Sequence, residues 1–145
     1  MDAVIGRFSA HVFALFRIMV GLLFACHGAQ KLLGWPPGMP HRGPLPPMEL
    51  VSGIVEFGGG LLVAVGLFAG IAAFVCSGEM AVAFFTVHFH ATGTGWIPLI
   101  NKGELAVAYC FSFLYIAAHG SSIWSMDNLL RRRVAVSGST AVAQP

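Results

Sequence analysis

In 145 residues the chain carries 57% hydrophobic and only 10% charged side chains, where a soluble domain holds roughly a quarter charged. That deficit excludes an ordinary soluble globular protein. The net charge of +2 is small, and the one basic cluster, Arg131, Arg132 and Arg133, lies beside the last apolar run, so no nucleic-acid-binding surface is expected. Cys26, Cys76 and Cys110 form no C-x-x-C pair and sit within apolar runs, where a thiol reads as a small buried hydrophobe.

Four stretches are long enough to cross a bilayer core of about 30 Å, which takes roughly 20 helical residues. They are Val12–Leu33, Met48–Leu67, Gly70–His90 and a shorter one from Gly103 that reaches to about Gly120. The first is too long for a signal-peptide core and no A-x-A site closes it, so it reads as a retained helix. Gly34–Pro47 (GWPPGMPHRGPLPP) is too rich in proline for a helix, since proline lacks the N–H and clashes with the preceding turn. An unbroken helix from Met48 to His90 would measure about 65 Å, twice the membrane, so a break is required. Gly66 and Gly70 are where a tight turn fits. A second loop over 91–102 contains Gly93, Gly95 and Pro98. The expected fold is an all-α membrane protein: one four-transmembrane-helix bundle over residues 1–130 with short loops, followed by a basic cluster and disordered tail over 131–145.

Arg7 before the first helix and Arg131–Arg133 after the fourth place both termini in the cytoplasm by the positive-inside bias. Lys31, Arg42 and Lys102 on the outer side weaken that contrast. Trp35 and Trp96 would mark the outer interface and Trp124 the inner one.

Charge inside the spans is the informative feature, because an isolated ion at mid-membrane costs at least a few kcal/mol. At 100° per residue, Arg17, Gly21, Phe24, Gly28 and Lys31 share a stripe about 80° wide on the first helix. Glu49, Gly53, Glu56 and Gly60 share a face of the second. Glu79, Ala83, Thr86 and His90 share one on the third, and Glu104, Ala108, Phe111 and Tyr115 one on the fourth. Glycines on such stripes let helices approach closely, so the polar faces are expected to meet inside the bundle. A deep group, Arg17 with Glu56 or Glu79 as an intramembrane ion pair, and an outer group, His27, Lys31, Glu49 and Glu104 with Asn101 and Lys102 at its rim, are the two expected layers. The deep pair has two readings, register-fixing or functional. Too many titratable groups converge in the outer layer for simple pairing. In a regular third helix His88 points away from Glu79, so His88 and His90 are not expected to bind one metal, and no metal site is expected elsewhere.

The run H-G-A-Q-K-L (His27–Leu32), the stretch EFGGGLLVAVGL (Glu56–Leu67), M-A-V-A-F-F-T-V-H-F (Met80–Phe89), N-K-G-E-L-A (Asn101–Ala106) and Trp124-Ser125-Met126-Asp127 occur here in that order. Together they resemble the DoxX family of small bacterial membrane proteins, over about Leu15 to Asp127. Lys102 departs from the pattern, which more often has glycine there. The resemblance implies a four-helix architecture in the bacterial inner membrane. It links some members to quinone-dependent oxidation of thiosulfate and others to defence against quinone, thiol and superoxide stress in membrane-bound complexes. The matched positions are His27, Gln30, Lys31, Glu56, His88, Asn101 and Glu104.

Three functions compete. The first is a quinone-linked oxidoreductase component in which carboxylates and His exchange protons while Phe24, Phe85, Phe111 and Tyr115 line a slot for the ring. The sequence offers no flavin, haem or iron–sulfur motif, so electrons would come from a redox partner protein or a thiol substrate. The second is a non-catalytic membrane subunit that anchors or assembles a larger complex. The third, a carrier or proton pathway through Glu56 and Glu79, ranks last because four short helices leave little room for alternating access.

Overall fold

Apolar residues fill the long helices on every side, so polarity alone does not say which faces pack; small residues do. The computed structural model describes residues 6–37, 44–90 and 95–131, and among them every regular element is helical, with no strand. Helix α1 runs Ser9–Leu33. Helix α2 runs Pro47–Val65 and α3 Ala69–His88. A short α4, Pro98–Asn101, precedes α5, Glu104–His119, and one more helical turn follows at 126–131. Helices α1, α2 and α3 are long and apolar enough to cross a membrane, while α5 is apolar but has 16 residues. The expected tail beyond residue 131, Arg132 and Arg133 with it, and Arg42 in the proline-rich loop lie outside the described residues.

Helix α1 packs on α2, α2 on α3, and α3 along α5. The α1–α2 contact is backbone to backbone. A Cβ on Gly21 would lie 2.7 Å from Ala64 N and Gly60 O, and one on Gly60 would lie 2.6 Å from Ala25 N. Gly28 fits in the same way against Phe57 N and Gly53 O. Helices α1 and α5 meet through rings instead: Phe24 packs on Phe113 and Tyr109 at centroid distances of 4.6 and 5.1 Å. Phe113, Ile116, Val63 and Cys76 complete the buried core. The three cysteines are free, and Cys26 is exposed on the outer face of α1 rather than buried as its apolar neighbourhood suggested.

Both α2 and α3 contain a wide π-helical turn, at Val55–Gly59 and Phe84–His88. Such turns absorb about one extra residue and rotate the remainder of the helix. The break between α2 and α3 falls at Gly66–Phe68. Gly66 takes φ 73° and Phe68 φ 49° there, in the left-handed region that glycine tolerates best. Lys102, after α4, also sits in that region at φ 61°.

The Gly66 turn is locked from two sides, and here the expected Arg17–Glu56 or Arg17–Glu79 ion pair gives way to another arrangement. Arg17 is fully buried. Its Nη1 donates to Val63 O and to Ala64 O (2.7 Å), and its Nη2 donates to Trp124 O (2.9 Å). Val63 O also accepts from the capping Gly66 N–H (3.1 Å), while Ala64 O and Trp124 O lie where the end of α2 and the chain near Trp124 offer few helical donors. On the other side Asp127 accepts from Phe68 N (2.9 Å) and Ala69 N (3.3 Å), and its own N–H donates to Gly66 O (3.0 Å). A cation thus closes the C-terminus of α2 and an anion the N-terminus of α3, each complementing the helix dipole. The hydrogen-bond partners of Arg17 are all carbonyls, with no glutamate among them. The physical reason is reach: both glutamates lie toward the other end of the bundle, whereas these carbonyls lie within one side-chain length of Arg17.

Gly60→Val is expected to destabilise the protein by about 1–3 kcal/mol through overpacking. Gly58→Val, where an added Cβ meets nothing within 4 Å, serves as the control and is expected to leave stability within about 0.5 kcal/mol, as at a surface site. Thermal unfolding of both variants in one detergent checks this; equal midpoints would refute the close α1–α2 contact.

Candidate functional site

Because α1 and α2 touch at Gly28, the next inward-facing residue of α1, Lys31, is carried onto the α2 surface. Lys31 Nζ donates to Glu56 Oε1 and to Ser52 Oγ, both at 2.7 Å. Ser52 Oγ stands 2.9 Å from Glu79 Oε1 on α3 and 3.2 Å from Glu56 Oε1. Glu56 is buried, with 3% exposure, and Lys31 keeps only a fifth of its side chain accessible. One lysine, one serine and two glutamates from three helices therefore form a continuous network. Glu56 and Glu79 do come together, but with Lys31 rather than Arg17.

The network lies on the wall of a 680 Å³ cavity between the helices. Phe24, Val55, Met80, Ala83, Ala106 and Tyr109 supply apolar wall, and His27, Glu49, Thr86, His88 and Lys102 stand around it. Glu56 Oε2 and Glu79 Oε2 are buried without a hydrogen-bond partner. An unpartnered buried carboxylate oxygen costs free energy, so the floor of this cavity is built short of donors.

His88 reaches the cavity through the π-helical turn. It lies nine positions after Glu79, which in an unbroken α-helix puts the two on opposite faces. The wide turn at Phe84–His88 removes about one residue's worth of rotation, and His88 lines the same space as Glu79. Its Nδ1 donates to Asn101 O at 3.2 Å. This corrects the expectation of a regular third helix.

Several expected site residues do other things. Asn101 is buried and shapes its loop: its Nδ2 donates to Gly95 O (2.6 Å) and its Oδ1 accepts from Gly103 N (2.7 Å). Gln30 Nε2 donates to Pro36 O (3.1 Å), tying the end of α1 to the following loop. Glu104 is exposed at the start of α5 and is not part of the cavity wall. Glu49 and His27 do line the cavity but are largely accessible, so the outer group is a rim, not a packed layer. The aromatic slot also differs. Phe24 lines the cavity, but Phe85, Phe111 and Tyr115 are more than half exposed and face outward. Tyr109, edge-on to His27 at 5.9 Å, takes their place. Ser52 and Tyr109 were missed. Ser52 stands one turn before Glu56, and that i, i+4 spacing was the available signal. Among the described residues no three His, Cys, Asp or Glu side chains gather as metal ligands.

Lys31→Met is expected to lower stability by about 3–5 kcal/mol, because removing one partner strands a buried acid. Combining it with Glu56→Gln is expected to recover most of the loss. Unfolding midpoints of the two single variants and the double variant check this, and simple additivity would count against the pair.

The chain is similar to an uncharacterized protein of Haemophilus influenzae, 38% identical over 124 residues that make up 84% of this chain and 92% of that one. No solved structure matches it. A family model described as DoxX matches residues 12–89, a stretch that holds all of α2 and α3 and nearly all of α1, and with them Lys31, Ser52, Glu56 and Glu79. On that match, and with three helices apolar and long enough to cross a membrane, the chain belongs to the DoxX family of membrane proteins.

Proposed function

We propose that the protein is a multi-pass component of a quinone-linked redox system in the bacterial inner membrane, and that the cavity beside Glu56 receives the quinone ring. The observation that carries this reading is the junction of a largely apolar 680 Å³ cavity with a floor of proton-exchanging side chains, Lys31, Glu56 and Glu79. A quinone ring requires an apolar slot with a few convergent polar groups, and its reduction or oxidation requires proton exchange at the ring oxygens. Phe24 and Tyr109 give the slot aromatic wall, and His27 and His88 add groups able to exchange protons at its edge. Electrons would come from a partner protein or a thiol substrate.

Purified protein in mild detergent is expected to bind a short-chain quinone. Ala83→Phe, which puts a ring into the slot from the cavity wall, is expected to abolish binding. Glu56→Gln and His27→Ala are expected to weaken it about tenfold, the worth of one hydrogen bond to a charged group. Equal affinity in wild type and Ala83→Phe would refute the site.

The same reading takes α1, α2, α3 and α5 as four crossings with both termini in the cytoplasm. Arg7 and Arg131 at the inner ends support that orientation. At 1.5 Å per residue α5 is about 24 Å long, a shortfall that local thinning of the bilayer accommodates. An alkaline phosphatase fused after residue 131 is expected to be inactive in cells. Activity there would place the C-terminus outside.

A further inference from the structure

We propose that Glu79 is a neutral carboxylic acid in the resting protein, and that Glu79, Ser52 and Glu56 form a relay which passes one proton between α3 and α2. Hydrogen-bond arithmetic carries this, whatever ligand the cavity takes. Ser52 Oγ lies within hydrogen-bond distance of both Glu79 Oε1 (2.9 Å) and Glu56 Oε1 (3.2 Å), and it accepts from Lys31 Nζ (2.7 Å). A serine hydroxyl has one proton to donate and two lone pairs with which to accept. It therefore serves one glutamate as donor, and the other must bring a proton of its own.

Lys31 decides which. Its ammonium sits 2.7 Å from Glu56 Oε1 and makes no hydrogen bond to Glu79, so Glu56 is the ionised member and accepts Ser52's proton. Glu79 then donates its carboxyl proton to Ser52, whose lone pairs take that bond and the one from Lys31. Every contact in the network is satisfied, and the charges cancel as Lys31 cation, Glu56 anion and neutral Glu79. Two carboxylates and one ammonium in a low-dielectric site would leave a net negative charge unpaired. The unpartnered Glu79 Oε2 is then a neutral carbonyl oxygen, which tolerates burial far better than half of an anion.

The other ionisable groups facing this space are His27 from α1, Glu49 from α2, His88 from α3, and Lys102 and Tyr109 from the α4–α5 side. None of them hydrogen-bonds to Glu79, and His88 is turned toward the Asn101 carbonyl. In the transfer, the Glu79 O–H bond breaks as the proton moves to Ser52 Oγ, while the Ser52 O–H proton moves to Glu56 Oε1. One proton changes sides, Glu56 becomes neutral, Glu79 becomes the anion, and no electron moves. Glu56 Oε2 and Glu79 Oε2 are the unpartnered atoms through which a ligand in the cavity would give or receive that proton.

Infrared spectroscopy on the full chain, carrying carboxyl-labelled glutamate, reads this directly. The expected result at neutral pH is one protonated-carboxyl stretch from glutamate, shifting in heavy water. Glu79→Gln is expected to remove it, and Lys31→Met to add a second from Glu56. Ser52→Ala is expected to keep the band but raise its frequency, since the acid loses its hydrogen-bond acceptor, and Ser52→Thr to restore it. A wild-type spectrum without a protonated glutamate, or a band that survives Glu79→Gln, overturns the proposal. The labelled wild-type measurement decides the first point even where a variant fails to fold. Quinone binding with no protonated glutamate would sink the relay and leave the proposed function standing; the band without quinone binding would do the reverse.

Discussion

The glycine-lined contact between α1 and α2 is the constraint from which both polar centres follow. With Gly21 on Gly60 and Gly28 on Gly53, the two backbones touch, and side chains at the ends of that seam land on α2 whether or not they are polar. Arg17 reaches the carbonyls at one end, and Lys31 reaches Ser52 and Glu56 toward the other. Side chains larger than hydrogen at the seam would hold the helices apart. Lys31 would then need other partners, and Glu56 would be a buried acid without a cation.

The two centres use charge differently. Around Arg17 the carbonyls of Val63, Ala64 and Trp124 take three of the guanidinium's five N–H donors, with Nε left unpartnered, and Asp127 caps the facing helix. Arg17 is fully buried and is not part of the cavity wall, so this knot holds the α2–α3 turn to the C-terminal segment. Around Lys31 two carboxyl oxygens are left unpartnered beside a cavity. A site that keeps such acceptors in a low-dielectric wall gives up stability locally, and functional sites are where that pattern recurs.

Sequence periodicity located the polar faces but not their pairings. Helical spacing put Arg17 and Lys31 on one stripe of α1 with Gly21 and Gly28, and that stripe is the packed one. It could not say that Arg17 would find carbonyls, because those become available only where the Gly66 turn and the Trp124–Asp127 segment come together. Periodicity alone turned His88 away from Glu79 because it assumes a regular helix, and the π-helical turn at Phe84–His88 breaks that assumption. Phe111 and Tyr115 were placed inward for the same kind of reason: in a chain apolar on all sides, a ring facing lipid and a ring facing a cavity look alike.

By itself the sequence determined that the chain is helical and belongs in a membrane, because the long apolar runs, the proline-rich loop and the charge deficit are local properties that need no partner to be read. It also determined that Arg17, Lys31 and Glu56 lie on glycine-bearing faces. The tertiary structure alone decided which cation meets which anion, which rings face the cavity and which oxygens remain without partners. Those depend on distances of 2.7–2.9 Å between different helices, and helical spacing along one segment carries no information at that scale about its neighbour.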